Sequence, residues 1–454
     1  MAVDQKRRYS RLAWVALACL SAPLFASFFF DDMFSTISYL FEDPSRTVLG
    51  WDAAGYGLYT SGYSVLCVFG GLVFCGILLD KWGIRVTGSI FVGMMMAGAL
   101  LVLHAITAGY TPSTSLKLAY VGCMLFGLGS EIAGTTVTRS IAKWFRGGPM
   151  ALAMGLQLAV ARLGTAVALV VSPLLVVENA GHVYSLAETA RPAVFGVGLM
   201  AVSLILWAVF VALDARRDRV MGLDAQVPGE DPFKLSDVWK VLTNKNFWML
   251  GLLCVLFYSS IVAFKKFAGA ILIPRFDIPA STAGWMVAML PFSTVIFAPL
   301  FGMLVDKKGK GTLWMIIGSV LALIAHLLLA FAPAGVPFYG YLGMVFLGFG
   351  YSLVPAALWP SVPKIVPDKV LGTTFSLVYW VQNLGLLAFK WIAGIIIGSA
   401  AATTVAEAAP AVSGPVRVEL MFVALCIASV AIAMIFARTS RRHPELHLDS
   451  PTGK

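Results

Sequence analysis

Charged residues are scarce in this chain. Lysine, arginine, aspartate and glutamate together make up 12% of its 454 residues, whereas hydrophobic residues make up 59%. A soluble domain usually carries about 25% charged residues. The mean hydropathy is correspondingly high, at +0.85. This composition excludes an ordinary soluble domain and predicts an integral membrane protein of the all-α class.

Cysteine is also rare, and no catalytic motif is visible. The six cysteines lie in apolar stretches without the close spacing of zinc ligands. The glycine-rich stretch 127–134 lacks the Lys-Ser/Thr pair of a phosphate-binding loop. Nothing in the sequence suggests a nucleophile, a metal site or a cofactor site. We therefore expect neither an enzyme nor a bound cofactor or metal.

Long apolar runs are abundant. A membrane-spanning helix needs about 20 mostly apolar residues, and the sequence contains twelve such stretches. The predicted spans are 12–40, 53–79, 86–109, 117–142, 150–177, 191–213, 246–275, 280–305, 312–333, 337–366, 370–399 and 416–438. The first run extends well past residue 30, which is too long for a cleaved signal peptide.

A charged stretch divides the spans into six and six. The sequence predicts an N-terminal six-helix bundle over 1–213, a linker over 214–245, a C-terminal six-helix bundle over 246–438 and a disordered tail over 439–454. Most of the 33 lysines and arginines lie at the two termini, in the linker and in loops on the same side. The positive-inside rule places these segments, including both termini, in the cytoplasm.

The net charge of +10 therefore reflects membrane topology and predicts no nucleic-acid partner. Membrane lipid is the expected surrounding, and we expect a monomer without an obligatory accessory subunit. Seven charges nevertheless lie well inside the apolar runs, where each is costly unless it serves a function. They are Asp31, Asp32, Glu131, Arg162, Lys265, Lys266 and Lys390. Such a set predicts a polar path through the bilayer, and hence a transporter of a small-molecule substrate.

Glu131 and Arg162 lie in consecutive predicted spans. A carboxylate and a guanidinium held apart suit a zwitterion, because Glu131 can bind an ammonium and Arg162 a carboxylate. The alternative is that the two side chains pair with each other as a structural lock.

The other acidic and basic residues within the spans leave two interpretations open. Asp31 and Asp32 either form a proton or cation coupling site or lie at the membrane interface. Lys265 and Lys266 point about 100° apart in a helix, so only one is expected to face the cavity. They either attract acidic substrate groups, pair with the acidic residues, or reach to the interface.

Polar aromatic and amide side chains complete the predicted binding site. Tyr59 and Tyr63 share a helical stripe in the second span, and aromatic side chains combine contact area with a polar group. A polar amide pair in the middle of a span also needs partners. The remaining members of this set are Tyr258, Trp359, Tyr379, Gln382 and Asn383.

The two halves resemble each other. Gly127 and Gly129 recur as Gly348 and Gly350, and Arg162-Leu-Gly164 recurs at the same offset as Asn383-Leu-Gly385. Internal duplication into two bundles is typical of carriers that work by alternating access.

A motif with Gly, Asp-Lys, Gly and Arg follows the second span, and a degenerate copy follows the eighth. Its proposed gating residues are Gly76, Asp80, Lys81, Gly83 and Arg85 in the first copy and Asp306 and Lys307 in the second.

This motif resembles the loop signature of the major facilitator superfamily. Longer stretches around Glu131, Lys143 to Gly147, Gly155 to Thr165, Gly350 to Pro360 and Val381 to Gly385 resemble its lysosomal dipeptide transporters. The resemblance implies dipeptide transport, with Glu131 and Arg162 meeting the two ends of the peptide.

Two departures from those transporters affect the expectations. The chain is more basic at the inner lysines, and its N-terminus lacks an acidic dileucine sorting signal. We therefore expect a bacterial inner membrane rather than a lysosomal one. The alternatives are a carrier of mono- or dicarboxylates of the oxalate/formate or monocarboxylate type, and a receptor or scaffold that does not transport.

Overall fold

The computed structural model describes residues 2–41, 43–145, 149–177, 179, 181–221, 235–366, 370–404 and 414–451. These residues are almost entirely helical, and within them the only β-pairing is an isolated bridge between Thr47 and Tyr184. The N-terminal half contains α1 (Ala2–Asp32), α2 (Ala53–Leu66), α3 (Leu72–Thr107), α4 (Pro112–Trp144), α5 (Met150–Leu175) and α6 (Leu186–Met221).

The short helix α7 (Leu235–Leu242) leads into the C-terminal half. That half contains α8 (Lys245–Lys266), α9 (Ala268–Phe276), α10 (Ala280–Lys308), α11 (Gly311–Phe331), α12 (Pro337–Leu358), α13 (Val362–Ile365), α14 (Leu371–Thr404) and α15 (Gly414–Arg442). We call the side on which α1 begins and α15 ends the terminal face. The far face is the opposite side, on which α1 ends and α2 begins.

Eleven helices of the described residues are long and apolar enough to cross a membrane. The predicted second span, 53–79, is interrupted, because α2 ends at Leu66 and a π-helical turn over Cys67–Gly71 separates it from α3. Gly70 has a φ of +92°, a conformation that costs little without a β-carbon. The second span therefore consists of α2 and the beginning of α3, which changes direction again at Gly83, where φ is +72°.

The two halves meet along two helix pairs, α2 with α14 and α5 with α10. Glycine permits the closest approach: a β-carbon on Gly57 would lie 2.9 Å from the Cα atom of Gly394. Small residues at such crossings let helix backbones pack closely in a membrane. These contacts place side chains of the first and second halves side by side in the middle of the molecule.

The C-terminal segment differs from its prediction as a disordered tail. α15 continues to Arg442, and residues 443–451 fold back onto the C-terminal half. The Asp449 carboxylate accepts hydrogen bonds from the backbone N–H and the hydroxyl of Thr312, each at 2.9 Å, while Leu448 is buried. The segment is ordered because Asp449 satisfies a free N–H group at the start of α11. At the predicted linker, α6 likewise continues to Met221 instead of ending at 213.

The packing of α1 against α5 generates a stability prediction. A β-carbon on Gly164 would clash with the backbone carbonyl of Phe25, whereas one on Gly155, in the same helix, would meet no atom within 4 Å. Gly164→Ala should destabilise the fold by about 1–3 kcal/mol, as other overpacked sites do. Gly155→Ala is the matched control and should leave the melting temperature in detergent unchanged or slightly raised. Equal melting temperatures for the two variants would contradict this packing.

Candidate functional site

Four charged side chains meet where α1 and α8 end, in the half of the molecule nearer the far face. The Asp32 carboxylate lies 2.6 Å from the Lys265 ammonium and 2.9 Å from that of Lys266. Lys266 also lies 2.7 Å from the Asp31 carboxylate. Asp32 and both lysines are buried, and Asp31 is partly exposed. Of the interpretations left open by the sequence, the structure therefore shows the lysines paired with the aspartates.

The positions of these residues at the ends of their helices explain why the charges pair. Lys265 and Lys266 occupy the last turn of α8, where a positive charge interacts favourably with the helix dipole. Asp31 and Asp32 end α1, where a negative charge is unfavourable and burial raises its cost further. The lysines neutralise both aspartates. We call these four residues the far-face cluster.

The far-face cluster joins the two halves of the molecule. Its aspartates belong to the first half and its lysines to the second. Neutral contacts reinforce it: the Tyr56 hydroxyl donates to the Lys266 carbonyl at 3.0 Å, and the Gly269 N–H donates to the Ser35 carbonyl at 3.0 Å. The far face is therefore closed in this conformation.

Arg162 lies one turn from this cluster, on α5. It donates a hydrogen bond to the Tyr351 hydroxyl at 3.0 Å, and its guanidinium lies 5.7 Å from the centre of the Phe28 ring. The next turn carries Thr165, whose hydroxyl donates to Asp32 at 2.8 Å. Arg162, Thr165, Lys265 and Tyr351 line a cavity of about 10 Å³, together with four apolar residues. That is space for roughly one water molecule.

Glu131 lies on α4 and is held by a different tyrosine. The Tyr63 hydroxyl donates to Glu131 Oε1 at 3.2 Å and lies 3.0 Å from the Ser130 hydroxyl. Among the described residues Glu131 and Arg162 form no ion pair with each other. The structural lock considered as an alternative is therefore not formed in this conformation.

An aromatic wall continues from Arg162 in the second half. The Tyr351 ring lies 6.1 Å from the Tyr258 ring, edge to face, and Trp359 donates its indole N–H to the Tyr258 hydroxyl at 3.0 Å. Trp359 in turn stacks on Tyr379 at 4.9 Å between ring centres. Three predicted site residues thus form one continuous surface.

The predicted amide pair follows this wall on α14. Asn383 donates to the Tyr379 carbonyl at 3.1 Å. The side-chain oxygens of Gln382 and Asn383 are buried and, within the described part of the chain, accept no hydrogen bond. Buried polar atoms rarely remain without a partner.

Tyr59, which the sequence placed in the binding site, lies elsewhere. It packs against Trp51 and Phe34 in an aromatic cluster near the far face.

Arg85, one of the predicted gating residues, pairs within the first half of the molecule. Arg85 pairs with Asp214 at 2.7 Å and with Asp218, and Lys143 pairs with both aspartates at 2.8 Å. These four side chains all belong to the first half, so Arg85 stabilises that half internally.

The other members of the two loop motifs lie at the terminal face. Lys81, Asp306 and Lys307 are exposed there. Gly83 provides the change of direction already described. The Asp80 side chain and Gly76 lie outside the described side chains.

Sequence reasoning missed Tyr351, Phe28 and Thr165. Aromatic residues are common packing residues in membrane helices, so Tyr351 and Phe28 carried no distinguishing signal. One signal was available for Tyr351: the internal repeat aligns Ser352 with Glu131, which puts Tyr351 beside a predicted site position. Thr165 lies three residues after Arg162, on the same face of the helix.

Comparison with known proteins places this chain in a transporter family. The sequence-family model described as Major Facilitator Superfamily matches residues 23–389 and 267–454 of this chain. The lysosomal dipeptide transporter MFSD1 of Danio rerio is 29% identical over 406 residues, which cover 87% of this chain and 80% of that protein. MFSD1 of Homo sapiens is 29% identical over 358 residues, covering 76% and 71% respectively.

Solved structures agree on the fold. The nucleoside transporter NupG superposes with a TM-score of 0.69 at 15% identity, covering 93% of this chain and 99% of NupG. A bacterial homolog of the human lysosomal transporter Spinster, in an inward-facing and occupied conformation, gives a TM-score of 0.68 at 13% identity, with 94% and 97% covered. The predicted fold of twelve spans in two six-helix bundles is confirmed, as is the prediction of a transporter rather than an enzyme.

The far-face cluster generates a prediction about stability. Asp32→Asn leaves Lys265 buried without its partner and should destabilise the protein by about 3–5 kcal/mol, as the breaking of buried ion pairs generally does. Replacing Lys265 as well, in Asp32→Asn/Lys265→Met, removes the unpaired charge and should recover part of the loss. Melting temperatures in detergent test both variants. A double variant less stable than Asp32→Asn alone would contradict the pairing described here.

Proposed function

The chain belongs to the Major Facilitator Superfamily, and we propose that it carries dipeptides across a membrane by alternating access. One observation carries the proposal: Glu131 and Arg162 are held apart, each by a tyrosine hydroxyl instead of an ion partner. Each charge remains available to a substrate that has an ammonium at one end and a carboxylate at the other. The MFSD1 relatives, named lysosomal dipeptide transporters, support the same substrate class.

The unused hydrogen-bonding capacity of these two groups fits a free peptide. An arginine has five N–H donors, and Arg162 gives one of them to Tyr351. The others can form a bidentate pair with the terminal carboxylate. Glu131 accepts from Tyr63 and keeps its remaining lone pairs for the terminal ammonium. The unsatisfied amide oxygens of Gln382 and Asn383 suit the peptide N–H.

The far-face cluster supplies the gate in this proposal. Opening the far face requires Asp31 and Asp32 to separate from Lys265 and Lys266. The separated charges lose their partners, and water can hydrate them only once it has entered. We assign the two aspartates to this gate instead of to proton coupling, because both are already neutralised by lysine. Thr165 connects the gate to the binding site, since it contacts Asp32 and lies one turn from Arg162.

The orientation of the carrier follows from its basic residues. The chain is an integral multi-pass membrane protein, and we propose that its terminal face lies in the cytoplasm, by the positive-inside rule. A closed far face then corresponds to a conformation in which exchange with the opposite compartment is blocked.

A carrier of organic anions is the second candidate. Lys390 is a buried cation and Arg162 a partly buried one, and neither has a carboxylate partner in the described part of the chain; this observation favours it. Glu131 argues against it, because a partly buried carboxylate near the site would repel an anion that has no ammonium group. The two candidates differ in whether the substrate must have a free amino group.

Glu131 and Arg162, which we together call the clamp, generate a binding prediction. A ligand that binds only the folded state raises the melting temperature, so Ala-Ala should stabilise the purified protein. N-acetylated or C-amidated Ala-Ala should not, because each lacks one charged end. Glu131→Gln and Arg162→Ala should each weaken binding of Ala-Ala about 30-fold or more, since removing one partner of a buried charge pair costs roughly 2–5 kcal/mol.

Two exposed residues provide matched controls. Glu445→Gln and Arg219→Ala make the same chemical changes at exposed positions that contact none of the site residues, and both variants should bind Ala-Ala normally. Normal binding of Ala-Ala by Glu131→Gln and Arg162→Ala would contradict the proposed role of these two residues in binding the peptide. Stabilisation by mono- or dicarboxylates, with none by dipeptides, would support the organic-anion carrier instead.

A further inference from the structure

Lys390 is a buried lysine without an anionic partner. It lies in the middle of α14, and the residue is only 2% exposed. Its ammonium lies 5.4 Å from the centre of the Tyr63 ring. Within the described ranges, no carboxylate pairs with it and no oxygen accepts a hydrogen bond from it. A cation over an aromatic face recovers only part of the hydration that burial removes.

The other charges within the binding region balance without Lys390. The two aspartates of the far-face cluster offset its two lysines. The negative charge of Glu131 and the positive charge of Arg162 sum to zero, and a zwitterionic dipeptide adds one charge of each sign. Lys390 therefore leaves one positive charge in excess, which a carboxylate on the substrate would neutralise.

The position of Lys390 relates it to one end of the clamp. Tyr63 presents its ring face to Lys390 and its hydroxyl to Glu131, so a single side chain connects the two. Tyr63 belongs to the first half and Lys390 to the second, and Gly57 packs against the Lys390 carbonyl beside them. Movement of one half against the other would uncover Lys390 next to Glu131.

We propose that Lys390 is a specificity residue that binds the side-chain carboxylate of an acidic first residue in the dipeptide. The proposal rests on the proposed function, in which Glu131 holds the terminal ammonium. The side chain of the first residue then lies at the Glu131 end, beside Lys390. The substrates preferred by this carrier are accordingly dipeptides that begin with aspartate or glutamate.

The test compares two dipeptides of equal size, Glu-Ala and Gln-Ala, on the purified full-length protein. Affinity is measured by titrated thermal shift and by competition for uptake into proteoliposomes. The wild type should bind Glu-Ala about tenfold or more tightly than Gln-Ala, because charge-assisted hydrogen bonds are stronger than neutral ones. Lys390→Gln should lose that preference and keep its affinity for Gln-Ala. Lys390→Arg, which retains the charge, should keep the preference.

Binding of Gln-Ala also serves as the folding control, because a misfolded Lys390→Gln variant would bind neither peptide. If that variant misfolds, Lys390→Arg decides whether Lys390 sets the preference: a Lys390→Arg variant that binds Gln-Ala normally but no longer prefers Glu-Ala would contradict a role for the positive charge. Lys308→Gln, an exposed lysine at the terminal face, should behave as the wild type. Equal affinities of the wild type for Glu-Ala and Gln-Ala would overturn the role of Lys390 and leave dipeptide transport intact. A wild type that binds neither peptide would instead overturn the proposed function.

Discussion

The pairing of Asp31 and Asp32 with Lys265 and Lys266 is the interaction on which the rest of the arrangement depends. None of these charges can be buried alone at low cost, since hydrocarbon and protein interior offer no hydration. Because the partners come from different halves, neutralising them also brings the two halves together at the far face. The same contact therefore satisfies the charges, closes one side of the protein and fixes the distance between the halves around Arg162.

Two tyrosines perform a complementary task at the centre. Tyr63 forms a hydrogen bond with Glu131 and Tyr351 forms one with Arg162, so each partly buried charge has a neutral partner and is not neutralised. In the dipeptide carrier that we propose, a full ion pair between Glu131 and Arg162 would have to be broken for every substrate, and breaking it would subtract from binding. Neutral partners hold the side chains in place while leaving their charges uncompensated, which is a form of pre-organisation.

The sequence predicts the spans well, because a run of about 20 apolar residues has few alternatives to a membrane helix. It does not predict the break at Gly70, since a lone glycine in an apolar run is also a common packing residue. The partners of Lys265 and Lys266 were among the alternatives, but hydropathy contains no distances that would choose between them. The role of Tyr351 depends on contacts between halves, which lie far apart in sequence and are visible only in the fold.

The packing of residues 443–451 has a practical consequence for fluorescence reporters. Asp449 and Leu448 hold residues 443–451 against the start of α11, and Lys364 donates to the Leu448 carbonyl at 3.4 Å. A fluorescent protein joined directly after Arg442 would replace these contacts and expose the first turn of α11. One joined after residue 451 through a glycine-serine linker would leave them intact, and its signal would then report on the carrier in its native packing.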